Sequence, residues 1–184
     1  MTLYPDCMVD IESMSLRPNA AIVSIGAVGF NFVTLDIGPK FYINISLESC
    51  QDAGLDIDAG TVLWWMKQSE DARKALLRNP QDLTLGLTEF AMWLRDNCTP
   101  SNSVRMWANS PAFDLVIVGN AYHVTGQERP WNFRNECDYR TVRTLYPNVE
   151  PDVGTGTHHN ALDDALWQTE HLLKIRRTLK GVKK

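Results

Sequence analysis

Short apolar runs separated by polar turns occupy the first quarter of the chain and predict three strands. The runs are Cys7–Ile11, Ala21–Phe30 and Lys40–Ile45. The third reads Lys-Phe-Tyr-Ile-Asn-Ile, which is rich in residues that favour strands. The second is almost wholly apolar, but it is too short to cross a bilayer, and Ser24, Gly26 and Gly29 interrupt it. It therefore predicts a buried strand.

Helix signals dominate the middle of the chain. Asp58 and Ser69 are residue types that favour the N-cap, and each precedes a helix-like segment. Asn79-Pro80 ends the second of these segments. The clearest helical pattern follows, because apolar residues recur there at spacings of four, three and four: Leu83, Leu87, Phe90 and Leu94.

The second half of the chain mixes both kinds of signal. Ser103–Ala108 predicts a fourth strand. Directly after it, Ser110 as N-cap and Pro111 at the first helical position predict a helix with Asp114 in or near its first turn. Two further helices are predicted, over residues 138–146 and from about 160 to 179.

This order of elements predicts one α/β domain with a mixed sheet, spanning residues 1–184. The chain is long enough to bury a sizeable core, and neither repeats nor a low-complexity linker divide it. Its four cysteines are scattered without a Cys-x-x-Cys pair, which favours reduced thiols in a cytoplasmic protein. The N-terminus has no secretory signal pattern, and we expect no membrane association.

The chemically informative residues are a small set of acids and one histidine. Asp10 and Glu12 end the first predicted strand, and its period of two places both carboxylates on one face. Such close carboxylates repel each other, and a cation relieves the repulsion. Asp114 and Asp164 come from predicted helices, and His159 precedes Asp164 by five residues. Four acids and a histidine predict a site for two divalent metals that hydrolyses a phosphodiester.

Net charge at first argues against a nucleic-acid partner, because phosphate binding needs basic surface and the chain carries a formal charge of -4. The four candidate metal ligands account for that charge, so two divalent cations would leave the protein nearly neutral. The charge is therefore compatible with a nucleic-acid substrate.

The histidine has two possible registers. His158 precedes Asp163 by the same five residues that separate His159 from Asp164. On a helical wheel Asp164 borders the apolar face, whereas Asp163 lies on the polar side with Glu170. This pattern favours the pair His159 and Asp164.

The ordered set of motifs resembles the DEDDh exonucleases of the DnaQ-like, ribonuclease H-like fold. Beyond the acids, the likeness is to the subgroup of T-even phage exonuclease A and bacterial 3′-5′ exoribonuclease-like proteins. It rests on the segments Asp10-Ile-Glu-Ser-Met, Ser24-Ile-Gly-Ala-Val, Trp64-Trp65, Trp107-Ala-Asn, Phe113-Asp114, Phe133-Arg-Asn, Arg140-Thr-Val-Arg-Thr and His159-Asn-Ala-Leu-Asp-Asp-Ala. The family pattern also selects His159 over His158.

The resemblance implies an α/β, ribonuclease H-like fold with about five strands flanked by helices. It implies that Asp10, Glu12, Asp114 and Asp164 hold two Mg²⁺ or Mn²⁺ ions and that His159 is the general base. An imidazole suits this role because its ordinary pKa lies near physiological pH. The product would be a nucleoside 5′-monophosphate released from a 3′ end. The residues expected to contact the terminal nucleotide are Ile11, Ser13, Met14, Trp65 and Phe113.

The sequence leaves alternatives for the substrate, the function and the oligomeric state. RNA and DNA substrates are hard to separate from sequence, and RNA is slightly favoured. A catalytically silent nucleic-acid-binding or protein-interaction module on the same fold is the alternative function, although such a module would usually have lost one of the five residues. A homodimer is compatible with the resemblance.

Overall fold

The computed structural model describes residues 2–153 and 159–181. Within these residues it contains five strands: β1 (Asp6–Ser13), β2 (Ile22–Phe30), β3 (Ile37–Asn44), β4 (Arg105–Ala108) and β5 (Glu136–Asp138). The same part of the chain contains seven α-helices: α1 (Leu47–Asp52), α2 (Ala59–Met66), α3 (Glu70–Leu76), α4 (Leu83–Asn97), α5 (Asp114–Val124), α6 (Tyr139–Leu145) and α7 (Ala161–Gly181).

The strands form one mixed sheet in the order β3-β2-β1-β4-β5. The first three strands are antiparallel neighbours, whereas β4 and β5 run parallel to β1. The carboxyl ends of the three parallel strands therefore meet at one edge of the sheet. This confirms the predicted mixed sheet of about five strands.

Helices cover both faces of the sheet, which explains why β2 is buried throughout and β1 is buried at every residue except Asp10. On one face the main core packs against α4 and α5, through residues that include Leu87 and Val118. On the other face a smaller core packs against α6 and α7, through residues that include Tyr139 and Leu172. Three odd-numbered residues of β1 belong to the main core: Cys7, Val9 and Ile11.

Three local features differ from the sequence predictions. Helix α5 begins at Asp114, so Ser110 is not its N-cap; residues 111–113 form a turn in which Ser110 O accepts hydrogen bonds from the backbone of Phe113 and Asp114. Helix α1 was not predicted because it has only six residues, too few for a periodic pattern. Strand β5 was not predicted because its three residues, Glu-Cys-Asp, carry no strand signal.

The remaining predicted elements are present, with ends that differ by a few residues. Asp58 and Ser69 cap α2 and α3 through their side chains, as predicted. Within the described residues, no helix is both long enough and apolar enough to span a membrane.

Candidate active site

Strand β1 supplies two of the predicted acids from one face. Asp10 lies opposite Gly26 and Glu12 lies opposite Ser24 in the antiparallel pair with β2. Both carboxylates lie on the side of the sheet that α7 covers, and Glu12 is buried. The strand period thus places Asp10 and Glu12 together as predicted.

Helix α7 brings the third acid, and a glycine permits its close approach. A Cβ added at Gly26 would overlap the backbone of Ala161 and Leu162, so the first turn of α7 lies directly on β2. The Asn160 side chain caps this turn, because its Oδ1 accepts hydrogen bonds from the N–H groups of Leu162 (3.1 Å) and Asp163 (3.2 Å). Asp164 lies in the same first turn of the helix.

Asp114 is the fourth acid, and it comes from the opposite layer. It opens α5 just after the carboxyl end of β4, and it is buried. The backbone N–H of Ser110 donates a hydrogen bond of 3.3 Å to its Oδ2. The turn at residues 111–113, which replaces the predicted helix start, holds the Asp114 carboxylate close to the end of β4.

Burial raises the pKa values of three of these acids, and neighbouring carboxylates raise those of Asp10 and Glu12 further. The pKa of Asp10 lies well above its ordinary value because of burial, with further contributions from the charges of Asp114, Glu12 and Asp164. Burial, then the charges of Asp164 and Asp114, raises the pKa of Glu12 to about 8. Burial raises the pKa of Asp114 to about 6. The four carboxylates thus lie near enough to repel each other, and a cation would relieve this repulsion.

His159 lies beside this cluster. One nitrogen of its ring and one carboxylate oxygen each from Glu12 and Asp164 all lie within 4.8 Å of one another. Its backbone is left-handed, with φ of 65°, a conformation uncommon outside glycine. Its ring makes edge contacts with Trp64 and Trp65, at centroid distances of 4.9 and 6.1 Å. The other candidate histidine, His158, lies outside the described residues.

An open cleft of about 500 Å³ adjoins Glu12. Its lining includes four of the predicted substrate-contacting residues: Ile11, Ser13, Trp65 and Phe113. It also includes Leu16, Asp58, Gly60, Thr61 and Trp64. The fifth predicted residue, Met14, is buried with the main core. The cleft is mainly apolar, and Glu12 is the candidate metal ligand that lines it.

The two tryptophans of the cleft differ in exposure. Trp65 is 4% exposed, and its indole N–H donates a hydrogen bond of 3.0 Å to the Ser13 carbonyl. Trp64 is 42% exposed, and its ring lies at 81° to that of Trp65. Sequence reasoning selected Trp65 for substrate contact, but the structure makes Trp64 the more accessible ring. The sequence indicates only that neighbouring residues of α2 point in different directions. It does not indicate which of the two tryptophans faces the core.

Sequence reasoning also missed Gln168. Its side chain is buried, and its Nε2 donates a hydrogen bond of 2.7 Å to Asp10 Oδ1. It lies four residues after Asp164, so it follows that acid on the same side of α7.

The family model described as "3′-5′ exoribonuclease Rv2179c-like domain" matches residues 5–176 of this chain. A search of curated proteins gave no match.

Solved structures of nucleases share the fold. Cell-death related nuclease 4 (CRN-4) superposes with a TM-score of 0.67 at 14% identity, covering 97% of this chain and 65% of that one. The zinc-bound E. coli ExoI–ssDNA complex gives 0.70 at 11% identity, covering 98% and 42%. The nuclease domain of 3′hExo, a DEDDh family member bound to rAMP, gives 0.62 at 13% identity, covering 97% and 94%. At these identities the likeness shows the fold, and it confirms the predicted ribonuclease H-like architecture.

Proposed function

Because this chain belongs to the 3′-5′ exoribonuclease Rv2179c-like domain family, we propose that it is a single exonuclease domain that shortens single-stranded nucleic acid from the 3′ end. It spans less than half the length of ExoI and 65% of the length of CRN-4, so the proposal concerns the chemistry of this site. The observation that carries it is the convergence of four mutually repelling carboxylates and His159 beside an apolar cleft.

Divalent cations fit this set of residues. Carboxylate oxygens are ligands that Mg²⁺ and Mn²⁺ prefer. Burial raises the pKa values of Asp10, Glu12 and Asp114, and neighbouring carboxylates raise those of Asp10 and Glu12 further, a repulsion that cations would remove. Asp10, Glu12, Asp114 and Asp164 would hold two such ions. Bound there, the ions would supply an activated water and stabilise the charge that develops on the phosphate.

The protein's own groups carry the remaining steps. Trp64, Phe113 and Leu16 line the space in which the terminal base would be held. His159 faces the acids, so its imidazole can accept the proton of the attacking water. Breaking the bond between the phosphorus and the 3′ oxygen of the preceding nucleotide then releases a nucleoside 5′-monophosphate.

We favour RNA slightly over DNA as the substrate. The family description names an exoribonuclease, and 3′hExo was solved with rAMP. ExoI, in contrast, was solved with single-stranded DNA and exonuclease X with 5′-overhanging duplex DNA. Discrimination depends on contacts to the 2′-hydroxyl.

The test uses matched 5′-labelled single-stranded RNA and DNA with Mg²⁺ or Mn²⁺. Wild-type protein should give a ladder that shortens from the 3′ end, faster on RNA. Asp10→Asn should abolish the ladder and keep the fold, since it relieves a repulsion and creates no cavity. Asp163→Asn, in the neighbouring acid of α7, is the matched control and should retain activity.

Two outcomes would overturn parts of the proposal. A folded wild-type protein that shortens neither strand would favour the silent binding module. Full activity of Asp10→Asn would reject the metal assignment. Sedimentation of the same preparation would test the predicted homodimer.

A further inference from the structure

A cluster of exposed arginines lies beyond the proposed site, on the segment that contains β5 and α6. Arg134, Arg140 and Arg143 fall within ten residues of each other. In the described parts of the chain, 2–153 and 159–181, no carboxylate lies within 4.0 Å of any of the three. Four other arginines are paired with carboxylates: Arg17, Arg95, Arg105 and Arg129. These three side chains therefore present charge that the fold does not neutralise directly.

An exposed aromatic ring accompanies them. Phe133 is 57% exposed, and the guanidinium carbon of Arg134 lies 4.9 Å from its ring centre. Arg129 lies at 5.9 Å from the same ring and is held by Glu136 at 3.3 Å. A flat apolar ring beside guanidinium groups is a surface on which nucleic-acid bases stack, because every base has an aromatic face.

One end of this surface adjoins the active site. The backbone N–H of Arg140 donates a hydrogen bond of 3.3 Å to the carbonyl of Asn109, and the charge of Arg140 lowers the pKa of Asp114. Arg143 lies three residues further on α6, on the same side of the helix. Phe133 and Arg134 precede β5, a strand of three residues that spans about 10 Å.

We infer that these four residues, named here the arginine edge (Phe133, Arg134, Arg140 and Arg143), bind the single strand upstream of the nucleotide being removed. Arg140 and Arg143 would contact backbone phosphates near the site, and Phe133 with Arg134 would hold a base and a phosphate further along. The inference rests on the proposed function. It also answers a physical problem, because a chain of net charge -4 with an acidic centre needs local positive charge to hold a polyanion.

The test compares binding of long and short strands by fluorescence anisotropy, with Asp10→Asn as the parent so that no hydrolysis occurs. The edge variant adds Arg134→Gln and Arg143→Gln. The control variant adds Arg95→Gln and Arg177→Gln, two exposed arginines elsewhere, and loses the same charge. Labelled 12-mers and 3-mers of the same composition are titrated at several salt concentrations.

The edge variant should bind the 12-mer at least about tenfold more weakly. The slope of log K against log salt should fall in magnitude by about 1.4, or about 0.7 for each single-strand phosphate contact. The affinity of the edge variant for the 3-mer should change less than about twofold. A separate variant, Phe133→Ala in the same parent, should bind the 12-mer about tenfold more weakly. The control variant should bind both strands nearly as the parent does.

Equal losses in the edge and control variants, or equal losses for the 12-mer and the 3-mer, would overturn the inference. A parent protein that does not bind the 12-mer would also overturn it. Failure of the proposed function has a different readout, namely a wild-type protein that shortens no strand.

Discussion

The side-chain amide of Gln168 donates a hydrogen bond of 2.7 Å to Asp10 Oδ1, joining α7 to the central strand at the proposed metal site. This hydrogen bond occupies one acceptor position of Asp10 Oδ1 and fixes the orientation of the carboxylate. It also favours the ionised form of Asp10, lowering a pKa that burial raises. Gln168 is therefore placed to hold the Asp10 carboxylate in one orientation at the proposed metal site.

Gln168→Leu should weaken Mn²⁺ binding by about 10–100-fold, the usual cost of losing an outer hydrogen bond to a metal ligand. Isothermal titration calorimetry of Mn²⁺ into protein without substrate measures this affinity directly. Gln127→Leu is the matched control, because the Gln127 amide bonds a backbone carbonyl, that of Thr84, instead of a carboxylate. An unchanged affinity in Gln168→Leu would show that Asp10 needs no such support.

Gly26 should not tolerate a side chain. A Cβ there overlaps the backbone of Ala161 and Leu162, which cannot move aside as a flexible side chain would. Gly26→Ala should therefore cost about 2 kcal/mol or more of stability and weaken Mn²⁺ binding, since Asp164 begins the displaced helix. Thermal unfolding and Mn²⁺ titration measure the two effects.

Gly119→Ala provides the comparison for Gly26. In that α5 position the nearest atom to an added Cβ is the end of the Arg129 side chain, at 3.4 Å. This variant should unfold at or above the wild-type temperature. Equal unfolding temperatures for both variants would contradict the close packing of α7 on β2.

Sequence periodicity predicted those parts of the fold and of the candidate site that depend on local geometry. The period of two along β1 places Asp10 and Glu12 on one face, and the spacing of Leu83, Leu87 and Phe90 predicts α4. Both depend only on residues close together in the chain. Their positions in the structure agree with that pattern.

Long-range contacts could not be predicted in this way. The bond between Gln168 and Asp10 joins residues 158 positions apart, and no local pattern indicates it. The choice between Trp64 and Trp65 depends on which face of α2 meets the sheet, and only tertiary packing decides that. Strand β5 forms because β4 offers a partner, although its own residues have little preference for a strand.

Metal-free protein should lose stability as the pH rises. The pKa of Glu12 is about 8 in the folded state, above the ordinary value of about 4.3 expected after unfolding. The folded state therefore binds the Glu12 proton more tightly than the unfolded state does. The stability that this difference contributes is full below about pH 4 and is lost as the pH rises through 8. Between pH 5.5 and 8.5 in EDTA, the unfolding temperature should fall by roughly 5 °C or more.

Glu12→Gln isolates this effect. Its unfolding temperature should change less with pH than that of the wild type, although Asp114, with a pKa of about 6, leaves some dependence. Adding Mg²⁺ should restore wild-type stability at high pH, because the cation binds the folded state. A wild-type protein in EDTA that becomes more stable up to pH 8.5 would contradict the raised pKa of Glu12.

The two tryptophans should respond differently to truncation. Trp64→Ala should weaken binding of a short oligonucleotide to the Asp10→Asn protein by about 1–3 kcal/mol, the value of one stacking contact, with little change in stability. Trp65→Ala should instead destabilise the fold by about 3–5 kcal/mol, because its ring is buried and hydrogen-bonded. Fluorescence anisotropy and thermal unfolding separate the two. The reverse pattern would return substrate contact to Trp65.

His159→Ala should lower kcat by about 10²–10⁴-fold, the usual contribution of a general base, whereas His158→Ala should be largely unaffected. The position of the His159 ring near Glu12 and Asp164 is the reason for the difference. Single-turnover cleavage of a labelled strand measures the chemical step, and Mn²⁺ titration of both variants checks that the acids still bind metal. Loss of activity in His158→Ala with retention in His159→Ala would shift the assignment to the pair His158 and Asp163. In that case the predicted roles of Asp164 and Asp163 would also be exchanged, and the Asp163→Asn control would become the inactive protein.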